Sequence, residues 1–266
     1  MLRDITIGQY YPVDSKIHRL DPRVKILVSF MYLISLFIVE DIRVFGFVTI
    51  FLIGIIKMSK VPVNYILKGL KPIFLIIIFA FTINLFMTPG DPIFHYGILT
   101  ITIQGVYQAL FMVLRLVYLI IGTSLLTLTT SPIALTDGIE HLLTPYKRIG
   151  LPAHELAMMM TIALRFIPTL LEETDKIMKA QMARGADFES GNVFRRAKAL
   201  IPLLVPLFIS AFRRADELAM AMEARCYRGG ENRTRMKVLK YEQRDLFAAV
   251  FFSGYMLVLI GMRFVL

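Results

Sequence analysis

Apolar residues in this chain come in long runs parted by short charged or turn-forming stretches. The first two, 24–39 and 44–56, are divided by Glu40, Asp41 and Arg43. Each is shorter than the roughly 20 residues that cross a bilayer comfortably, so the pair predicts a tight helical hairpin with flanking side chains snorkelling to the interfaces. Asp21 before Pro22 predicts where the first helix starts. A carboxylate there can cap free backbone N–H groups, and proline's missing donor costs nothing at the first helical position. Lys57, Lys60, Lys68 and Lys71 fill the next connection, punctuated by Pro62 and Pro72. A third run covers 72–87, a fourth 105–128, and the last 246–266. Between the third and fourth, 88–104 reads as a loop without Lys or Arg.

From 131 to 245 the pattern changes to helical amphipathicity. Ser131-Pro132 predicts a short amphipathic helix to about Leu143, and Pro145 and Pro152 bracket a turn. A long helix is predicted over 153–184, with Ile167, Leu170, Leu171, Ile177, Met178 and Met182 on one stripe and Gly185 and Gly191 marking its exit. A second is predicted over 193–225, interrupted at Pro202 and Pro206, with Phe208, Phe212, Leu218, Ala219 and Met222 as its stripe and Gly229-Gly230 as its break. A 30-residue helix is about 45 Å long, more than a bilayer core. The C-terminal half of each is charged. Such helices are expected to lie along the membrane face, stripe against partner helices and polar face toward the cytoplasm. The expected organisation is an N-terminal membrane region over 1–130, a cytoplasmic region over 131–245 and a C-terminal membrane helix over 246–266.

Composition agrees with the runs. Of 266 residues 56% are hydrophobic, more than soluble domains carry, with mean hydropathy +0.64 and no Trp. The net charge of +10 reports orientation. Arg3, Lys16, Arg19, Arg23 and Lys25 precede the first run, four lysines occupy the 57–71 connection, and eighteen Lys and Arg lie between the fourth and last runs. The intervening loops hold one basic residue, Arg43. Basic segments favour the cytoplasm, which predicts N-terminus inside, five crossings and C-terminus outside. Nucleic-acid binding is excluded, because no basic stripe is interleaved with exposed aromatics. A single cysteine, Cys226, excludes an internal disulfide or a multi-cysteine metal site. The first apolar run follows charged and turn-forming residues, so no cleavable signal is expected.

Catalytic constellations are missing. His154-Glu155 starts like a zinc-protease helix, but Met158 stands where a second histidine is needed. The four histidines (His18, His95, His141, His154) fall on different segments, and neither a Walker-type phosphate loop nor a Gly-x-Ser-x-Gly elbow occurs. Arg115 sits deep in the fourth run, where an arginine is expensive and must be held. With no acid in the runs to pair with, an interior hydrogen-bonding strut is expected rather than a substrate path. Met158, Met159, Met160, Met178, Met182, Met220 and Met222 crowd the two long helices. Core packing and an adaptable contact surface both account for them.

The two long helices end alike. Gln181-Met182-Ala183-Arg184-Gly185 overlays Met222-Glu223-Ala224-Arg225-Cys226, with matches at Asp175/Asp216, Ala180/Ala221, Ala183/Ala224 and Arg184/Arg225. A cation in a last turn is favoured by the helix dipole, which would explain one such arginine. Two in matched sequence point to a pair of prongs aimed at a partner.

Read together, several stretches resemble the transmembrane T component of energy-coupling factor (ECF) vitamin and metal transporters. They are His18-x-Leu20-Asp21-Pro22-Arg23-x-Lys25, Thr129-Thr130-Ser131-Pro132, Leu164-Arg165-Phe166-Ile167-Pro168, Ala183-Arg184-Gly185 and Ala224-Arg225-Cys226-Tyr227-Arg228-Gly229-Gly230. The resemblance spans nearly the whole chain. It implies an all-α polytopic membrane protein of about five transmembrane helices with long cytoplasmic coupling helices, multi-pass in a prokaryotic cell membrane. In that family two coupling helices end in x-Arg-x, and each arginine enters a groove on one of two ABC-type ATPase subunits. The implied ATPase-binding residues are Ala183, Arg184, Gly185, Ala224, Arg225 and Cys226. A small membrane S component holds the vitamin or metal ion, and Met158, Met159, Met178, Met182, Met220 and Met222 are expected to touch it. ATP and Mg belong to the partner ATPases; this chain is expected to bind no cofactor or metal and to be no enzyme. Cys226 replaces the commoner glycine and predicts a tighter or differently angled exit. The alternatives are an ordinary ABC permease subunit with its own substrate path, against which the spans carry few polar groups, and a membrane-embedded enzyme.

Overall fold

A computed structural model describes residues 10–96, 99–188, 192–230 and 238–265; Arg3 and the expected exit at Gly191 lie outside them. The chain divides into two compact units, one over Gly8–Leu142 and Val238–Leu266, the other chiefly over Leu143–Lys237.

In the first unit α1 (Pro22–Ile38) starts as its sequence dictates, with Pro22 in the first turn and the Asp21 carboxylate accepting from the Arg23 N–H at 2.8 Å. Asp41 caps α2 (Ile42–Ser59) in the same way, and left-handed Lys60 closes it. After α3 (Val63–Lys68), a 3-10 turn over Lys71–Ile73 leads into α4 (Phe74–Met87). The stretch expected to be a loop holds an antiparallel hairpin, β1 (Pro92–Tyr96) and β2 (Leu99–Thr102), in the register Pro92↔Thr102 and Tyr96↔Leu99. Gln104 ties it shut: its carbonyl accepts from the Asp91 N–H and its amide donates to the Asp91 carboxylate, both at 2.9 Å. Then come α5 (Ile103–Thr129), α6 (Pro132–Leu143) and, at the far end of the chain, α10 (Gln243–Val265).

Leu36, Phe45, Val48, Ile66, Leu128 and Leu259 are fully buried at the centre of this unit. Phe51 stacks on Tyr255 with centroids 4.0 Å apart. Lipid is as apolar as leucine, so close contact and hydrogen bonds hold such helices together more than exclusion of water does. Ser35 Oγ donates to the Tyr32 carbonyl and lies 3.2 Å from the Tyr255 hydroxyl; the Tyr32 hydroxyl donates to the Tyr118 carbonyl at 3.3 Å. A Cβ at Gly122 would come within 2.4 Å of the Tyr32 ring, so α1 and α5 could not approach this closely with any larger residue there. On α4 only Ile77 is buried, leaving Phe74, Leu75, Ile76 and Phe79 exposed, as on a helix whose solvent is lipid.

The polar motifs at the start of α1 and the end of α5 build a clamp at one end of this unit. Lys25 Nζ donates to the carbonyls of His18 (3.0 Å) and Thr129 (2.9 Å), joining the first motif to the Thr129–Pro132 turn. Buried Asp245, at the start of α10, accepts from the Asp21 and Glu242 N–H groups. Arg23 pairs with Asp21 at 2.8 Å and lies over the Tyr241 ring. His18 Nε2 faces the Tyr11 carbonyl at 3.0 Å, so it must donate, and a neutral ring then accepts from Ser15 at Nδ1. Burial favours that neutral form by lowering the His18 pKa.

Among the described residues five helical stretches are long and apolar enough to cross a membrane: Ile42–Ser59, Val63–Met87, Ile103–Thr129, Ala153–Ala183 and Gln243–Phe264. The number matches the sequence expectation, but the membership differs. At 17 residues α1 stands at the short end of the range for a single crossing and just outside this set, whereas the 31-residue helix Ala153–Ala183 enters it because its charges concentrate toward its C-terminus.

Candidate partner-docking site at two matched helix ends

The second unit is built on α7 (Ala153–Ala183), α8 (Val193–Ala199) and α9 (Ile201–Ala224). Of the two interruptions expected in the helix over 193–225, the one at Pro202 is a break at Leu200, with Pro202 in the first turn of α9, where proline is tolerated. Pro206 sits inside α9 without ending it.

Both ends close by the same local device. At the end of α7 the Ala186 N–H donates to the Gln181 carbonyl and the Gly185 N–H to the Met182 carbonyl, each at 3.0 Å. At the end of α9 the Tyr227 N–H donates to the Met222 carbonyl (3.0 Å) and the Cys226 N–H to the Glu223 carbonyl (2.8 Å). This paired pattern is the Schellman motif, which needs a left-handed residue just past the cap. Gly185 supplies it at φ 88° and Cys226 at φ 56°. The caps themselves nearly superimpose, Arg184 at φ −87°, ψ 7° and Arg225 at φ −90°, ψ 10°. Cys226 therefore keeps the same hydrogen-bonded exit as the glycine and does not redirect it. Arg184 and Arg225 are exposed, and neither makes an ion pair among the described residues.

A polar crossing fixes the two helices to each other. Glu173 on α7 accepts from Ser210 (2.5 Å) and from Arg214 (3.1 Å) on α9, and Gln181 Nε2 donates to the Pro202 carbonyl at 3.4 Å. Glu173 stands eleven residues before Arg184, and Arg214 eleven before Arg225. At 1.5 Å per residue each arginine is about 16 Å along its helix from the crossing. Beyond Arg225, left-handed Gly229 brings the chain back to the start of α7. Gly230 lies so close to His154 that a Cβ there would sit 2.5 Å from the ring, and the Tyr227 hydroxyl is 3.4 Å from His154 Nε2.

The α7 stripe is half-buried from Ile167 to Met178, whereas the α9 stripe stays open at Phe208 and Phe212. Phe208 and Phe212 are 61% and 69% exposed, and among the buried positions α7 has only Ala153 and Ala157 and α9 only Leu203. Met159, Met182 and Met220 are exposed, while Met158, Met178 and Met222 are half-buried. Ala183 and Ala224, the last helical residues, are exposed beside their arginines. In the other unit Arg115 is the strut expected of it. Its guanidinium donates to the Val39 carbonyl at 2.8 Å and lies over the Phe111 ring. Nothing in the sequence marked the Glu173–Ser210–Arg214 crossing, although a helical wheel puts Ser210 and Arg214 on one face of α9.

The fold is that of an all-α polytopic membrane protein whose distinctive surface is a matched pair of arginine-tipped helices. The CbiQ family model, described as a cobalt transport protein, matches residues 14–236. The energy-coupling factor transporter transmembrane protein EcfT of Thermosediminibacter oceani is 64% identical over 249 residues, covering 94% of each chain. EcfT of Clostridium kluyveri is 64% identical, covering 94% of this chain and 93% of its own, and EcfT of Bacillus subtilis is 52% identical, covering 92% and 93%. The chain belongs to the CbiQ/EcfT family of transporter transmembrane proteins.

Proposed function

We propose that this chain is the membrane scaffold of an ECF-type transporter, coupling ATP hydrolysis in two partner ATPases to uptake of a vitamin or metal ion through a substrate-binding S component. One observation carries the reading: two helices close by one device and present two exposed arginines, without an ion pair among the described residues, in the same backbone geometry. A pair of similar ATPases offers two similar grooves, so one docking chain needs two similar keys. Arginine suits a groove lined with carboxylates, because its planar guanidinium makes two hydrogen bonds to one carboxylate while its stem lies on apolar atoms. Hydrolysis belongs to the partners with their bound Mg and ATP, and this chain is non-catalytic. The basic segments support a cytoplasmic N-terminus and cytoplasmic coupling helices. The uncovered Phe208 and Phe212 of the α9 stripe, with the exposed Met159 on α7 and Met220 on α9, support an apolar membrane partner on the same helices.

The test is the pair Arg184→Ala and Arg225→Ala. Truncating a buried arginine anchor costs about 2–4 kcal/mol, roughly 30- to 1000-fold in affinity. The double variant is expected to insert and fold as the native chain does, yet to lose the ATPases in a mild-detergent pull-down and to lose transport in proteoliposomes. Lysine at both positions is expected to restore little, since a point charge lacks the planar pairing geometry. Native-level ATPase retention and transport by the double alanine variant would overturn the proposal.

A further inference from the structure

A cavity of about 990 Å³ opens between α1, α2, α5 and α10, at the upper end of the range for small-molecule sites. The register of the four helices gives it two unlike ends. Its basic end lies at the start of α1 and α10 and the finish of α2 and α5, where Lys16, Lys57, Lys60 and Arg244 line it. Its floor is Tyr32, Phe51, Leu125 and Phe252, all buried. From Val24 to Tyr32 along α1 is eight residues, about 12 Å. That is nearly the depth of one leaflet, half of a hydrocarbon core of about 30 Å. Phe247 and Phe251 line the cavity and are 74% and 63% exposed, so it opens sideways between helices as well as at its charged mouth.

The charges at the mouth are not consumed internally. Of the basic lining side chains, Arg19 pairs with Asp14, Arg244 with Glu242, and Lys25 is held by two carbonyls. Lys16, Lys57 and Lys60 are exposed and make no ion pair among the described residues, and Asp14 is the one acid on the lining. An occupant must therefore carry a negative head and an apolar tail about one leaflet long. We infer that the cavity is a binding site for an anionic phospholipid of the leaflet at the basic end, its phosphate on Lys16, Lys57 and Lys60 and an acyl chain on Tyr32, Phe51 and Phe252. That end is the one the charge distribution assigns to the cytoplasm, whose leaflet attracts basic segments, and basic pockets between membrane helices are known to take such headgroups.

The experiment is native mass spectrometry of the full chain in mild detergent, titrated separately with phosphatidylglycerol and with phosphatidylcholine of the same acyl chains. One phosphatidylglycerol per chain is expected to survive at activation energies that strip phosphatidylcholine. Each lysine removed should weaken retention about fivefold, so Lys16→Gln, Lys57→Gln and Lys60→Gln together should weaken it about 100-fold. Ala248→Trp, which fills the groove and leaves the lysines, should displace the lipid too. Millimolar inorganic phosphate should not. Equal retention of the two lipids, native retention by the triple variant, or displacement by phosphate alone would overturn the inference. So would a photo-crosslinker at Phe251 that captures a partner protein instead of lipid in native membranes. The readout involves no ATPase, so its failure is separate from failure of the scaffold reading.

Discussion

Cys226 occupies a backbone position that the matching helix end gives to glycine. A residue with a Cβ in the left-handed region carries a steric cost of roughly 1–2 kcal/mol, part of which glycine returns through its larger unfolded-state entropy. Cys226→Gly should therefore stabilise the closed last turn of α9 by about 1 kcal/mol, a factor of about five in local opening. Gly185→Ala is the mirror experiment. No atom lies within 4 Å of the position its Cβ would take, so only the strain of φ 88° is added and the α7 end should open about five times more often. Cys226→Val should be worse than the native residue, because a β-branched side chain fits that region poorly.

Amide hydrogen exchange reads these openings directly. The reporters are the N–H groups at positions 226 and 227, which donate to the Glu223 and Met222 carbonyls, and those at 185 and 186, which donate to Met182 and Gln181. When reclosing is fast, exchange tracks the free energy of local opening, so each substitution should move its own pair and leave the other pair unchanged. Exchange at 226 and 227 within twofold of native after Cys226→Gly would refute the left-handed assignment. So would slower exchange at 185 and 186 after Gly185→Ala.

Two further substitutions test the internal polar contacts. Glu173→Gln removes the charge that receives Arg214 across the helix crossing, a half-exposed pair worth about 0.5–1 kcal/mol. Spin labels at Lys179 and Met220 should show a broader distance distribution in the variant, and an unchanged distribution would remove the crossing's role. Arg115→Met leaves the Val39 carbonyl without its donor and should cost about 1–2 kcal/mol. For a chain of this size that lowers the thermal midpoint in mild detergent by roughly 3–6 °C, and a native midpoint would contradict the strut.

What was legible in the sequence was local. Asp21-Pro22 announced a helix start because cap and proline act within one turn, and the two arginine ends could be overlaid because each motif is built from consecutive residues. What was missed depends on partners far along the chain. The 92–102 hairpin is fastened by Asp91 and Gln104, whose pairing no periodicity reveals. Asp245 reads as a loop acid before the last helix, yet it is buried as the acceptor for Asp21, 224 residues away. The interruption expected at Pro202 is there, at Leu200, but the one expected at Pro206 is not, because the two prolines look alike in sequence while one falls in a tolerant first turn and the other in a helix interior. The stripes on α7 and α9 announced apolar faces that need covering. Periodicity cannot say what covers them, and within this chain Phe208 and Phe212 stay open.

The crossing at Glu173 gives the matched ends a mechanical meaning. If the helices pivot at the Glu173–Arg214 ion pair by giving up the longer Gln181–Pro202 contact (3.4 Å), they move as levers, and the ratio of their arms sets how far each tip travels. Here both arms are eleven residues, so a given change in crossing angle displaces Arg184 and Arg225 by the same distance. Sliding the contact by one turn of either helix would make the arms differ by about 5 Å, a third of their length. Tips of unequal throw could not follow two grooves that close symmetrically. On the proposed docking of the two arginines in paired ATPase grooves, the placement of Glu173 and Arg214 is as much a part of the geometry as the arginines are. A charge-reversed pair, Glu173→Arg with Arg214→Glu, should preserve ATPase binding where either reversal alone loses it. Loss in the double reversal equal to the sum of the singles would show that the crossing contributes stability without setting the arms.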